Sequence, residues 1–260
     1  MSMTEAKQLR APDLASMKSR GEKISMLAAY DATMARLLDE AGIDVLLVGD
    51  SLGMVILGGD DTLQVTVDDI VRHTRAVRRG TKRALVLADM PFMSYQASLS
   101  DAVRNAGRLV QQGEAMAVKL EGGMPVVATV ERLVSIGIPV VGHLGLLPQS
   151  VHQLGGFKRQ AASQQDRQKL VDEAAALESA GACALVLECI PPDLAQEVSA
   201  RLKIPTIGIG SGPHCDGQVL VSYDLLGLTA KTPSFVRKYA QLDQAVIEAA
   251  KAFIKDVKDA

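Results

Sequence analysis

Residues 177–188 read LESAGACALVLE, a segment in which a helical pattern ends at Gly181 and a continuous apolar run follows. Glycine commonly follows the last turn of a helix because it adopts the left-handed backbone conformation without steric strain. The run at residues 184–187 lacks polar alternation, which is typical of a strand buried on both faces in a parallel sheet. The segment therefore predicts a helix, a glycine stop and a parallel strand.

The same unit recurs along the chain, for example at Gly42 and Gly137. Seven apolar runs have the character of buried strands, at residues 24–29, 45–48, 84–88, 116–120, 139–141, 184–187 and 206–209. A weaker eighth run lies near residues 218–222, and segments with helical spacing separate the runs. Eight alternating strands and helices predict an α/β fold of the (β/α)8 TIM barrel type, whereas an open doubly wound sheet would need fewer strands or a second domain.

The chain length agrees with one barrel. It has 260 residues, and a closed α/β barrel uses roughly 250. No linker rich in proline or serine divides the sequence, so we expect a single domain over residues 1–260. A polar N-terminal segment, about 1–22, and C-terminal helices, about 232–260, are predicted at its two ends.

Composition excludes several classes of function. With 28 basic and 30 acidic residues, and 3% aromatic residues, the chain lacks the basic surface and stacking platforms of nucleic-acid-binding proteins. Its three cysteines, Cys183, Cys189 and Cys215, show no CxxC spacing, which argues against a disulfide scaffold. No apolar run reaches the roughly 18 to 20 residues that cross a bilayer, and no signal peptide is evident. The expectation is a soluble protein in the cytoplasm, with no membrane partner.

Polar residues follow the predicted strands, where barrel enzymes place their chemistry. In chain order they are Tyr30, Asp31, Asp50, Ser51, Asp89, Lys119, Glu121, His143 and Glu188. A single carboxylate at such a position often caps the next helix. Four of these carboxylates, from Asp50, Asp89, Glu121 and Glu188, would repel one another and lose hydration at one barrel mouth, so they need a cation or shared protons to persist.

Three of these carboxylates suggest the kind of cation. Asp50, Asp89 and Glu121 offer only oxygen atoms, with no cysteine or paired histidine nearby in sequence. Oxygen ligands favour a hard ion such as Mg²⁺ over a structural zinc site. The sequence therefore predicts Mg²⁺, with Zn²⁺ or Co²⁺ as alternatives.

Glu188 and Lys119 differ from the metal-site candidates in their surroundings. Apolar residues precede Glu188 and Cys-Ile-Pro-Pro follows it, a setting that suits a general base working near neutral pH. The alternative is a glutamate paired with a basic residue. Lys119 alternates with apolar neighbours and is expected to point into the barrel beside an anion, either a substrate carboxylate or Glu121 in a structural ion pair.

The ordered motifs resemble the ketopantoate hydroxymethyltransferase family. They are AYD (29–31), VGDSLG (48–53), ADMPF (88–92), VKLEGG (118–123), GHLGLLPQ (142–149), LE (187–188), TIGIG (206–210) and CDGQVL (215–220). The resemblance spans about Lys23 to Gly227. It implies a (β/α)8 barrel that transfers a hydroxymethyl group from 5,10-methylenetetrahydrofolate to 3-methyl-2-oxobutanoate. The product is 2-dehydropantoate, formed through a Mg-stabilised enolate in the first step of pantothenate biosynthesis. Family members are cytoplasmic homo-oligomers, often decamers.

The resemblance also implies roles for individual residues. Asp50 and Asp89 would ligate Mg²⁺, and Glu121 would complete the metal site, through water in one arrangement. Ser51 and Lys119 would hold the 2-oxo acid, with Asp50, Asp89 and His143 also at the substrate pocket. Glu188 matches the proton acceptor.

Two other functions fit parts of the pattern. A Mg-dependent carbon–carbon lyase or mutase of the isocitrate lyase type would also act on a 2-oxo acid in a barrel, but it calls for a catalytic cysteine loop or a phosphate site. A non-catalytic metabolite-binding barrel would need no base, so the presence of Glu188 beside Asp50 and Asp89 argues against it.

Overall fold

The computed structural model describes residues 7–156 and 158–260. The first six residues of the predicted N-terminal segment, and residue 157, lie outside the described residues. The remainder of that segment contains helix α1 (Ala11–Ser19), with Pro12 in its first turn, where proline's missing N–H has no consequence because helical N–H groups there lack intrahelical partners.

Parallel strands form a closed barrel, and their spatial order is their order in the chain. The strands are β1 (Ile24–Ala28), β2 (Val45–Val48), β3 (Leu85–Asp89), β4 (Ala117–Glu121), β5 (Val140–Gly145), β6 (Ala184–Glu188), β7 (Thr206–Ile209) and β8 (Gly217–Val221). Each predicted apolar run is a strand, including the weak eighth, and the (β/α)8 prediction is confirmed. Strand β5 continues past its predicted end through Gly142, where an added Cβ would lie 3.0 Å from Leu185 and 3.1 Å from Leu177.

Helices connect successive strands of the barrel, and the last two helices follow the last strand in the chain. After α1 they are α2 (Ala32–Glu40), α3 (Leu52–Val55), α4 (Val67–Gly80), α5 (Leu99–Gln111), α6 (Val127–Ser135), α7 (Val151–Leu154), α8 (Gln164–Ser179), α9 (Pro192–Arg201), α10 (Ser222–Leu225) and α11 (Leu242–Asp259). Asp31 accepts a hydrogen bond from the N–H of Met34 and caps α2. The carboxylate of Asp31 therefore caps the helix that follows it, as an isolated aspartate at a strand end often does.

The chain divides into two compact units, one ending at Val219 and the other comprising Leu220–Ala260. In the second unit, the N–H of Tyr239 donates to the carbonyl of Leu225 at 2.8 Å. Helix α11 follows in the same unit, and residues 230–241 before it are not helical. The description of residues 1–260 as a single domain stays a prediction. Across residues 7–156 and 158–260, no helix combines the length and apolar character that crossing a bilayer requires.

One apolar cluster fills the interior of the barrel. Strand side chains from β1 to β8, such as Met26, Leu87 and Val186, pack there together with Leu14 and Met17 of α1. Burial of these apolar side chains is the main favourable contribution to folding. Because α1 contributes to the same cluster, it covers an end of the barrel interior and leaves the C-terminal ends of the strands for polar side chains.

Candidate active site

The strand register places the polar residues side by side at the C-terminal end of the barrel. Asp89 of β3 is in register with Lys119 of β4, and Glu121 of β4 is in register with His143 of β5. In-register residues of adjacent strands point to the same face. All four residues are at most 5% exposed. The barrel therefore holds two pairs of oppositely charged residue types in one buried layer.

Lys119 has Asp89 as its close partner. Its Nζ lies 3.0 Å from Oδ1 of Asp89 and 3.9 Å from Oε1 of Glu121. Burial opposes the charged form, but the carboxylates of Asp89 and Glu121 prevail and raise the pKa of Lys119. Lys119 therefore points into the barrel as expected. The expected partners were a substrate carboxylate or Glu121, but the carboxylate of Asp89 lies nearer than that of Glu121.

His143 lies between two glutamates. Its Nδ1 is 3.4 Å from Oε1 of Glu121, and its Nε2 is 3.1 Å from Oε2 of Glu188. Burial and the nearby Lys119 charge oppose protonation, yet contact with both carboxylates raises the pKa of His143 to about 9. The raised pKa favours the protonated imidazole, although Nδ1 also lies 3.3 Å from Nζ of Lys119. Glu188 is paired with a basic residue, which was the alternative to apolar surroundings.

Asp50 is 4% exposed and lies against other carboxylates. Its backbone N–H donates to Oδ2 of Asp89 at 2.9 Å, and Nε2 of Gln149 donates to its Oδ2 at 2.9 Å. Burial first, and then the charges of Asp89 and Glu121, raise the pKa of Asp50 to about 8. Burial likewise raises the pKa of Asp89. The protein alone therefore disfavours having both aspartates ionised.

Ser51 and Glu188 lie nearer to solvent than the other site residues. Oγ of Ser51 is 2.8 Å from the hydroxyl of Tyr30, which follows β1. The side chain of Glu188 is 14% exposed, against 3% for Glu121. Glu188 is thus the glutamate that a ligand entering from the barrel mouth can reach.

Two residues at the site had no assigned role in the sequence analysis, Gln149 and Tyr95. The N–H of Gln149 donates to Oε2 of Glu121 at 3.0 Å, and Oε1 of Gln149 lies 2.9 Å from the hydroxyl of Tyr95. Tyr95 in turn accepts the N–H of Glu121 at 3.1 Å. Both residues lie several positions beyond a strand, so a search limited to strand ends misses them. Gln149 is the last residue of the motif at residues 142–149, but that motif does not indicate which residues it contacts.

The donor set fits a hard divalent cation. Four carboxylates, from Asp50, Asp89, Glu121 and Glu188, face two cations, Lys119 and His143, which leaves negative charge uncompensated. Asp89 Oδ1 and Glu121 Oε1 are buried without an aligned hydrogen-bond donor.

The number of direct protein ligands is small. In the described part of the chain, no group of three or more His, Cys, Asp or Glu side chains is arranged to hold one ion directly. A site with one or two carboxylate ligands, completed by water and substrate, is the arrangement Mg²⁺ commonly adopts in enzymes. The residues therefore fit Mg²⁺ bound through few protein atoms.

Comparison with known proteins decides the family. A family model described as ketopantoate hydroxymethyltransferase matches residues 8–260. The chain belongs to the ketopantoate hydroxymethyltransferase family. A 3-methyl-2-oxobutanoate hydroxymethyltransferase of Moorella thermoacetica is 54% identical over 257 residues, covering 98% of this chain and 96% of that protein. One of Syntrophus aciditrophicus is 56% identical over 244 residues, covering 94% and 90%.

Membership of the ketopantoate hydroxymethyltransferase family confirms the resemblance seen in the motifs and makes the chain a transferase enzyme. The alternative of a non-catalytic metabolite-binding barrel is thereby wrong.

Two of the solved structures that share the fold are enzymes with other names. A 2,3-dimethylmalate lyase, a member of the PEP mutase/isocitrate lyase superfamily, superposes with a TM-score of 0.62 at 17% identity, covering 96% of this chain and 98% of that one. A phosphoenolpyruvate phosphomutase from Streptomyces platensis subsp. rosaceus gives 0.66 at 15% identity, covering 95% and 88%. At such identities the likeness shows a shared barrel fold, and the family assignment rests on the sequence relatives.

Proposed function

We propose that this enzyme transfers a hydroxymethyl group from 5,10-methylenetetrahydrofolate to 3-methyl-2-oxobutanoate, forming 2-dehydropantoate in the first step of pantothenate biosynthesis. The observation that carries the proposal is the position of Glu188, a reachable carboxylate 3.1 Å from His143 at the edge of a buried acidic cluster. Relatives that are 54% and 56% identical bear the name of this activity, which supports the same assignment.

Asp50 and Asp89 are the proposed Mg²⁺ ligands, and Glu121 would complete the site, either directly or through water. Each aspartate has Oδ2 engaged by a protein N–H donor. This leaves Oδ1 of Asp50 for a metal ion, whereas Oδ1 of Asp89 would be shared with Nζ of Lys119, which lies 3.0 Å away. Bound Mg²⁺ would act as a Lewis acid that stabilises negative charge on the substrate oxygens.

The 2-oxo acid is held by Ser51 and Lys119 in this proposal. Lys119 is buried and cationic, so its charge is little screened and can pair with a substrate carboxylate as well as with Asp89. The hydroxyl of Ser51, 2.8 Å from that of Tyr30, is oriented by this contact. Both residues position the substrate so that its C3 atom faces Glu188.

Glu188 accepts the proton from C3, and the C–H electron pair moves towards the 2-oxo group. The resulting carbon nucleophile forms a bond to the methylene carbon of the folate, and water supplies the hydroxyl as the carbon–nitrogen bonds to the folate break. Nε2 of His143 lies 3.1 Å from Oε2 of Glu188 and positions this carboxylate for proton transfer. General-base catalysis of this kind contributes typically about 10²–10⁴-fold.

The family resemblance supplies the remaining parts of the proposal. We place the enzyme in the cytoplasm as a homo-oligomer, with a decamer as the expected assembly, and its partners are the small 2-oxo acid and the folate. Sedimentation velocity of the purified protein measures the assembly, and a monomer at micromolar concentration contradicts this part of the proposal.

The test follows the exchange of the C3 proton of 3-methyl-2-oxobutanoate in D₂O by NMR, with and without Mg²⁺ and with and without the folate. We expect Mg²⁺-dependent exchange without folate, product formation with folate, and loss of both in Glu188→Gln. Glu197→Gln is the matched control, because Glu197 lies on α9 and pairs with Arg201 at the surface. Wild-type protein that gives neither exchange nor product overturns the proposal.

The carbon–carbon lyase alternative concerns enzymes such as 2,3-dimethylmalate lyase, with which this chain shares the barrel fold. It predicts cleavage of a 2-oxo acid or 2-hydroxy diacid without folate, which the same NMR assay detects. Because the fold likeness is at 17% identity, it supports the fold alone, and the transferase remains the proposed function.

A further inference from the structure

We propose that Gln149 is a positioning residue that orients the carboxylates of Asp50 and Glu121 for a divalent cation, an inference that rests on the proposed function. Gln149 is 6% exposed and lies in the turn Pro148–Ser150 that follows β5. From there it contacts residues that follow or end three other strands, β2, β3 and β4.

The side-chain amide of Gln149 has all its hydrogen-bonding capacity in use. Its Nε2 donates to Oδ2 of Asp50 and to the carbonyl of Met90, each at 2.9 Å. Its Oε1 lies 2.9 Å from the Tyr95 hydroxyl and accepts from Nε2 of Gln96 at 3.0 Å. A flipped amide would place Oε1 against a carboxylate and a carbonyl, so the partners allow one orientation.

The orientation of the amide determines which atom of Asp50 is engaged. An NH₂ group can only donate, so it favours an ionised carboxylate and occupies Oδ2. This hydrogen bond limits rotation of the Asp50 side chain and directs Oδ1 away from Gln149. Groups that orient metal ligands in this way commonly set the affinity for the metal.

The backbone of Gln149 engages the second carboxylate. Its N–H donates to Oε2 of Glu121 at 3.0 Å, while Oε1 of Glu121 is buried with no aligned donor. Tyr95 connects the two halves of the arrangement, because it accepts the backbone N–H of Glu121 and its hydroxyl reaches Oε1 of Gln149. One residue thus orients two carboxylates, and the cation affinity of the site depends on a loop outside the strands.

Direct binding measurements on the metal-free protein test this role. Mg²⁺ affinity is measured by calorimetry, and Mn²⁺ binding by electron paramagnetic resonance, on the wild type, Gln149→Met and Tyr95→Phe. Methionine keeps the length of the side chain and removes both N–H donors. Gln153→Met is the matched control, since Gln153 is exposed on the neighbouring helix α7.

We expect Gln149→Met to bind Mg²⁺ about 10- to 100-fold more weakly, and Tyr95→Phe to show a smaller loss, about 3- to 10-fold. The Mg²⁺ concentration that gives half of the maximal rate of C3 exchange should rise by the same factor as the dissociation constant. Gln153→Met should match the wild type in affinity and rate.

Other outcomes separate this inference from the proposed function. A folded Gln149→Met variant with wild-type Mg²⁺ affinity, even with a lower melting temperature, shows a purely structural role and overturns the inference. If Gln149→Met does not fold, unchanged affinity in Tyr95→Phe has the same meaning. Wild-type protein that neither binds Mg²⁺ nor exchanges the C3 proton overturns both, whereas a functional wild type with unaffected variants overturns the inference alone.

Discussion

Nε2 of His143 lies 3.1 Å from Oε2 of Glu188, so a cation contacts the carboxylate proposed to accept the substrate proton. The strand register explains the contact. His143 is in register with Val186, and Glu188 is two residues further along β6 on the same face. The residues next to Glu188 in sequence give no indication of His143, because His143 lies on the adjacent strand.

Replacing His143 tests this contact. In His143→Gln, Glu121 and Glu188 lose a shared imidazolium, and removal of one partner of a buried ion pair costs about 3–5 kcal/mol. We expect urea denaturation to show a loss of that order, and the C3 exchange rate to fall about tenfold or more. His152→Gln is the control, because the His152 side chain is 80% exposed and 3.9 Å from Asp61. Equal stability and activity in the two variants would contradict the assignment.

Removal of the metal should destabilise the protein. A ligand at 100 times its dissociation constant stabilises the folded state by about 2.7 kcal/mol, which corresponds to roughly 5–10 °C in melting temperature for a chain of this size. We expect Mg²⁺ to raise the melting temperature by this amount over EDTA, since it neutralises the repulsion between Asp50 and Asp89. Calorimetry measures the shift.

The control for the metal effect is a pair of isosteric variants. Asp50→Asn should abolish the shift between Mg²⁺ and EDTA, and Asp172→Asn, on the exposed face of α8, should retain it. A wild-type melting temperature that is the same in both solutions would argue against a metal at this site.

Substitution of two glycines in the left-handed conformation distinguishes the cost of backbone strain from the cost of steric overlap. Gly145 has φ +96°, and an added Cβ would lie 2.1 Å from the carbonyl oxygen of Glu188, whereas Gly137 has φ +89° with nothing within 4 Å. Gly137→Ala should cost about 1–2 kcal/mol from strain alone. Gly145→Ala should cost about 1–3 kcal/mol more, because β6 must shift. Urea denaturation compares the free energies of unfolding of the two variants. Equal losses would show that β6 can shift without an additional energetic cost.

The cysteine nearest to Glu188 should be unreactive. Burial, and then the charge of Glu188, raises the pKa of Cys189 to about 11, and burial raises that of Cys183 to about 12. Since the thiolate is the reactive species, we expect slow labelling by iodoacetamide at pH 7.5, a rate that rises with pH, and fast labelling after unfolding. Mass spectrometry identifies the sites. Rapid labelling of native Cys189 would instead suit a catalytic thiol of the lyase type.

Most of the polar residues that the fold brings together at the candidate site could be predicted from their positions at strand ends. Asp50, Asp89 and Glu188 follow apolar runs, and Lys119 is the last residue but one of the run at 116–120. Parallel strands direct their carboxyl ends to one side of a barrel. Position at a strand end also selected Asp31, which caps α2. A strand-end carboxylate can cap a helix or face the barrel mouth, and local sequence does not distinguish these outcomes.

The partners of these residues depend on contacts between distant segments. Lys119 lies nearer to Asp89 than to Glu121 because β3 and β4 pair in a particular register. Gln149 reaches Asp50 from a position 99 residues away in sequence. Neither contact has a periodic signal, since each is set by the path of a loop or the offset of a strand.

The sequence by itself determined the order of strands and helices, the barrel, and the identity of most charged groups at its mouth, because burial on both faces of a strand leaves a continuous apolar run. Tertiary structure alone decided which charges meet. His143 beside Glu188, and Gln149 between Asp50 and Glu121, depend on strand register and loop path. Electrostatic and hydrogen-bond energies vary steeply over a few ångströms. The order of residues along the chain does not define interatomic distances to that precision.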